Sequence, residues 1–215
     1  PVEQPDTASA TVENVAVTKT LTDREVGEGS SNEVLVGEEF TFTARMDIQE
    51  GTYTATTVSD SVRSGAGFGD YEILSASITN WDTTALTAAT GSTLGSAGTV
   101  ASDGSSVSFE LGTLVNDGDN NTANDFFEFE VVAQALGSGS AVAGDFLGNR
   151  AEFEANGGAI DVFDNAGVEL TEPDLSITKA ASPPVVRAGE TVSYEVDILN
   201  QPGASDAPAY DLVLT

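Results

Sequence analysis

The stretch Val15-Ala16-Val17-Thr18-Lys19-Thr20 constrains this chain more than any other, because it sets a lysine in strand register with two valines. Side chains of a strand alternate between its two faces, so Val15, Val17 and Lys19 share one. If that face is the core, an ammonium enters an apolar setting, where it is costly unless something neutralises it. The chain has two lysines, and the second, Lys179, stands in Leu175-Ser176-Ile177-Thr178-Lys179-Ala180, the same pattern over again.

Alternation of period two runs through most of the chain. A first strand is predicted over 12–21, then one over 40–46 with Phe40, Phe42 and Met46 inward. Over 53–62 the inward set is Thr56, Val58, Asp60 and Val62, so a carboxylate points to the core beside Val58. Further strands are predicted over 71–81, 106–111 (Val107, Phe109 and Leu111 inward), 126–136 (Phe127, Phe129 and Val131 inward) and 148–155. The last of these puts Asn149 on one face with Ala151 and Phe153, and 159–170 adds one or two short strands. Residues 82–105, rich in Thr, Ser, Gly and Ala, are expected to form a surface loop. Helical periodicity is missing, and many short strands separated by turn signals predict an all-β protein, an antiparallel immunoglobulin-like β-sandwich.

After Glu172-Pro173-Asp174 the pattern restarts. Residues 175–179 repeat 15–19, and the stretch from Gly189 to Val196 repeats that from Gly37 to Ala44. The expected organisation is a linker at 1–11, a sandwich at 12–171 and a partial second immunoglobulin-like repeat at 172–215, truncated after roughly its third strand. A fragment of that kind leaves strand edges unpaired, so it is expected to be completed by further chain or by a neighbouring copy. The whole is read as a mature fragment of something longer.

A net charge of -28, from 35 acidic and 7 basic residues, argues against nucleic acid and anionic membrane surfaces as partners. No run of 18 apolar residues suggests membrane insertion in this segment. With no His and no Cys, neither a Ser-His or Cys-His nucleophile pair nor an ordinary zinc site can be assembled, and no disulfide framework exists. No spacing singles out a carboxylate pair for glycoside hydrolysis, so the chain is not expected to be an enzyme.

The run from Glu172 to Ala180, followed by Ala188-Gly189-Glu190-Thr191-Val192-Ser193-Tyr194, resembles the tandem immunoglobulin-like surface repeat of large bacterial and archaeal exported proteins. The first domain is also similar to fimbrial and adhesin domains that form an internal isopeptide bond between a first-strand Lys and an Asn of an Asn-x-Ala strand, with an Asp in a Val-x-Asp strand. Here those positions are Lys19, Asn149 and Asp60. The resemblance implies an extracellular, cell-surface stalk, fimbria or filament, with neighbouring copies or further repeats as partners and a surface receptor or glycan as a further one. In that chemistry burial leaves Lys19 an uncharged nucleophile and Asp60 a protonated acid that shuttles the proton to departing ammonia. The plainer alternative is a buried salt bridge between Lys19 and Asp60.

A second candidate site is the run from Asn116 to Asp125. Asp117, Asp119 and Asn121 have the alternate spacing with which a tight loop wraps Ca2+, and Asn124 or Asp125 would close the shell. The same residues suit a solvated turn equally well. Asp161, Asp164, Glu169, Glu172 and Asp174 form an acidic joint, read mainly as a solvated linker. Trp81, the sole tryptophan, is the lead for the alternative function, a secreted carbohydrate- or ligand-binding module or a glycosidase accessory domain.

Overall fold

A computed structural model describes residues 15–24, 32–64, 70–88, 94–137 and 143–200, with 209 and 213. The expected linker at 1–11, the start of the first strand at 12–14 and most of 201–215 lie outside those residues.

Thirteen strands are described and no helix. β1 (Ala16–Arg24), β3 (Glu39–Asp47), β9 (Phe126–Ala135) and β5 (Tyr71–Trp81) form one sheet in the order β1-β3-β9-β5. The other sheet runs β2 (Glu33–Leu35), β11 (Ile160–Thr171), β10 (Phe146–Ala155), β4 (Gly51–Arg63), β8 (Ser106–Asn116) and β6 (Leu86–Ala88), with β7 (Thr99–Val100) also on β8. All pairs are antiparallel except β2 on β11. The inward residues of the long strands are those the alternation names: Phe40, Phe42, Met46, Phe127, Phe129 and Val131 from the first sheet, and Val58, Phe109, Leu111, Ala151 and Phe153 from the second. Phe109 meets Phe129 across the sandwich with ring centroids 5.3 Å apart. Each fully covered large side chain contributes roughly 1.5–3 kcal/mol by leaving water.

Two departures from simple alternation matter. In β4 the register against β8 shifts between Tyr53 and Thr56, and Ala55 takes a φ of +48°. This bulge inserts one residue, so Tyr53 and the later set Thr56, Val58 and Asp60 all point inward. The stretch 82–105 is not the featureless surface loop expected of it. Its backbone supplies β6 and β7 to β8, and Leu86 is fully buried. Between β10 and β11 the turn carries Asn156, Gly157 and Gly158, all at positive φ, as a tight hairpin requires.

β12 (Leu175–Ser182) and β13 (Ser193–Asn200) pair only with each other. Their register repeats that of β1 on β3. Lys19 lies opposite Ala44 and Leu21 opposite Phe42, while Lys179 lies opposite Val196 and Ala181 opposite Tyr194. Lys19 sits 4.9 Å from the Phe42 ring centroid, and Lys179 sits 4.6 Å from that of Tyr194. The hairpin face is open where that of β1 and β3 is covered: Leu175, Ile177, Tyr194 and Ile198 are all exposed.

Candidate functional site

Lys19, Asp60 and Asn149 come from three strands of two sheets and all face the core. Lys19 is 5% exposed, Asp60 and Asn149 0%. β1 carries the lysine at the edge of the first sheet, where the Lys19 amide donates to Asp164 Oδ2 on β11 at 2.9 Å. That bond holds the edge strand over the second sheet. β4 and β10 are neighbours in the second sheet, with Asp60 paired to Ala151 and Asn149 to Val62. Asp60 and Asn149 are therefore diagonal neighbours on one face, within reach of each other's side chains. Parity carries all three inward, because an odd shift in any of the strands would turn its polar residue to solvent.

Lys19 Nζ donates to Asp60 Oδ2 in a contact wholly removed from water. Phe42 and Phe129 form the wall around the amine, with ring centroids 4.9 and 5.8 Å from Nζ. Burial pulls the proton affinity of Lys19 down, while the charge and hydrogen bond of Asp60 and the charge of Asp164 oppose it. Burial pushes the Asp60 carboxyl up, against the Lys19 charge and the hydrogen bonds of Lys19 and Asn149. Both shifts favour a neutral amine facing a neutral acid over two buried charges.

Asp60 Oδ1 and Asn149 Oδ1 are both buried, and neither accepts a hydrogen bond from a described residue. An unmet acceptor in the interior costs about 1–3 kcal/mol.

The alternation pattern did not single out Tyr71, the first residue of β5. Its hydroxyl donates to the Gly148 carbonyl at 2.7 Å and accepts from Asn149 Nδ2 at 2.9 Å. The ring is 5% exposed and packs against Phe40 at 5.6 Å.

The acidic loop is placed differently. Asp117 Oδ1 accepts from Gly118 N at 3.0 Å, Asp119 Oδ1 from Asn121 N at 2.7 Å and Asn121 Oδ1 from Ala123 N at 3.3 Å. Asp119 Oδ2 takes Asn124 Nδ2 at 2.9 Å. These oxygens close the loop's own turns, while Asp125 lies buried beneath with Oδ1 unpartnered. Among the described residues no three Asp or Glu side chains converge as a metal cage would. Melting in Ca2+ and in chelator checks the expectation of a cation here. A Ca2+-dependent rise in Tm that disappears in Asp117→Ala and Asp119→Ala supports it, and a rise unchanged in both overturns it.

Trp81 is half-buried against the core. A Cβ on Gly95 would come within 2.5 Å of Trp81 Cη2, so Gly95 lies against the indole.

No protein-family model and no curated protein matches this chain. Solved structures similar to it include the C-terminal domain of the AgI/II polypeptide BspA of Streptococcus agalactiae, with 12% identity over 84% of this chain and 60% of that one, TM-score 0.42. The full-length major pilin SpaD of Corynebacterium diphtheriae is similar at 15% identity over 78% of this chain and 37% of that one, TM-score 0.37. A cohesin module from a Clostridium perfringens family 33 glycoside hydrolase shows 14% identity over 74% and 98%, TM-score 0.40. Neither identity nor overlap assigns the chain to any of them.

Proposed function

We propose that this chain is an extracellular structural or adhesive module of a prokaryotic surface stalk, fimbria or filament, and that its sandwich is locked by an isopeptide bond between Lys19 and Asn149. One observation carries the reading: a lysine, a carboxyl and a carboxamide meet in a water-free core where burial favours the neutral amine and the neutral acid. Lys19 Nζ attacks Asn149 Cγ, Asp60 moves the proton from the amine to the carboxamide nitrogen, and ammonia leaves. The reaction turns over once and makes the protein its own product, so the module is no enzyme in the ordinary sense.

Mechanical duty is what such a bond suits. It would join β1, at the start of the described sandwich, to β10 in the opposite sheet. A chain without cysteine gains from it a crosslink that no reductant opens. The register that β12 and β13 share with β1 and β3 fits a chain of like modules, whose partners are further repeats or neighbouring copies. A receptor or glycan at the surface belongs to the same reading.

Intact mass tests the bond. The purified wild-type chain is expected to fall short of its sequence mass by one ammonia, about 17 Da, and Lys19→Ala, Asp60→Ala and Asn149→Ala each to restore the full mass. A wild type at full mass overturns the covalent reading and leaves a buried ion pair.

A further inference from the structure

A phenol has one proton to give, and the Tyr71 hydroxyl gives its proton to the Gly148 carbonyl at 2.7 Å. Whatever part of the Asn149 side chain faces that hydroxyl must then be a donor. Only the amide nitrogen qualifies, and Nδ2 stands there at 2.9 Å. The backbone carbonyl thus decides, through Tyr71, which way a carboxamide points that could otherwise sit either way round. Nitrogen is held on the phenol side, and Oδ1 is left free of any donor among the described residues. Burial pushes the phenol's proton affinity up, so the hydroxyl stays neutral and the relay keeps its direction.

We infer that Tyr71 is the positioning residue of the bond-forming step: its hydroxyl fixes which way round the Asn149 carboxamide sits, with the leaving nitrogen between the phenol and Asp60. The inference rests on the covalent reading above. In the reaction the Lys19 Nζ lone pair forms the new C–N bond to Asn149 Cγ as the carbonyl π bond opens onto Oδ1. Asp60 gives its proton to Nδ2 and takes one from Nζ. The carbonyl re-forms, the old C–N bond breaks and ammonia leaves, so Asp60 ends protonated as it began. Tyr71 neither gains nor loses a proton. Without its hydroxyl the carboxamide can turn over and present Oδ1 to Asp60, an orientation in which the acid cannot protonate the leaving nitrogen.

Tyr71→Phe keeps the ring on Phe40 and removes only the hydroxyl. Freshly made wild type and Tyr71→Phe, both shown to be folded by near-ultraviolet circular dichroism, are followed by intact mass over hours to days. Ammonia loss is expected to be about tenfold slower in Tyr71→Phe, the rate equivalent of about one hydrogen bond. A second measurement needs no reaction. In Lys19→Met, which cannot form the bond, one Asn149 Nδ2 proton should exchange slowly with solvent, and adding Tyr71→Phe should release it. A wild type at full mass overturns the covalent reading and this inference with it. A wild type lighter by one ammonia beside a Tyr71→Phe chain that reacts at the same rate, or an Asn149 exchange rate indifferent to residue 71, overturns the inference alone.

Discussion

Lys19→Ala is expected to lower the melting temperature of the sandwich by about 12–32 °C, and Asn149→Ala by about 10–20 °C. A bond from Lys19 to Asn149 closes a loop of about 130 residues, which on the chain-entropy estimate for crosslinks is worth about 5 kcal/mol. Both substitutions lose that. Lys19→Ala also strands the Asp60 carboxyl, which is 0% exposed and takes its side-chain donor from Lys19. In the locked chain that donor is the amide N–H, and leaving a buried group without it costs about 1–3 kcal/mol more. Asn149→Ala leaves the Lys19–Asp60 contact whole, and the Tyr71 hydroxyl keeps its bond to Gly148. At about 2–4 °C per kcal/mol for a domain of this size, the two costs separate into distinct melting temperatures. The double variant Lys19→Met with Asp60→Leu should melt above Lys19→Ala, because no buried polar group is then left without a partner. Scanning calorimetry reads all three. Equal melting temperatures for wild type and Asn149→Ala would show that no crosslink contributes to stability.

The inward placement of Lys19, Asp60 and Asn149 was legible in the sequence because each sits in a strand long enough for alternation to fix its parity. The chemistry around them was less so. Tyr71 reads as one more aromatic at the start of a strand. Its hydroxyl acts on the backbone of Gly148 and the side chain of Asn149, far along the chain, and no local pattern encodes that meeting. Nor does the sequence mark Ala55 as the extra residue of a bulge, since alanine carries none of the usual signals for positive φ. β6 and β7 escaped for a different reason. They are held to β8 by main-chain bonds, which small side chains do not advertise. The acidic loop was readable as a turn, yet which oxygens would be used up by its own amides depends on its closed geometry.

The lock should also leave its mark on how stability depends on pH. Once Lys19 Nζ is an amide nitrogen it no longer titrates, and Asp60 remains in the core without a cation beside it. Burial raises the Asp60 pKa above its ordinary value of 3.8 even with Lys19 charged, and the loss of that charge removes the main opposing cause. A group whose folded-state pKa is raised binds more protons folded than unfolded. Its stabilising contribution is complete below about pH 4 and is lost as pH rises, by about 1.4 kcal/mol per unit, until the folded-state pKa is passed. Asn149→Ala behaves otherwise, because Lys19 and Asp60 both remain titratable. Burial lowers the one and raises the other, so the folded pair holds a single proton between them. The unfolded chain also holds one there between about pH 5 and 9, on the lysine. Equal proton counts give no slope from this pair. The stability advantage of the wild type over Asn149→Ala should therefore be largest near pH 5 and shrink as pH rises toward the folded-state pKa of Asp60. The other carboxylates are common to both chains and cancel in the difference. Urea unfolding of the two chains at pH 5, 6, 7 and 8 measures it. A difference that stays constant across that range would mean that Asp60 is already ionised in the locked core, and the proton it would need to shuttle would have no place to rest.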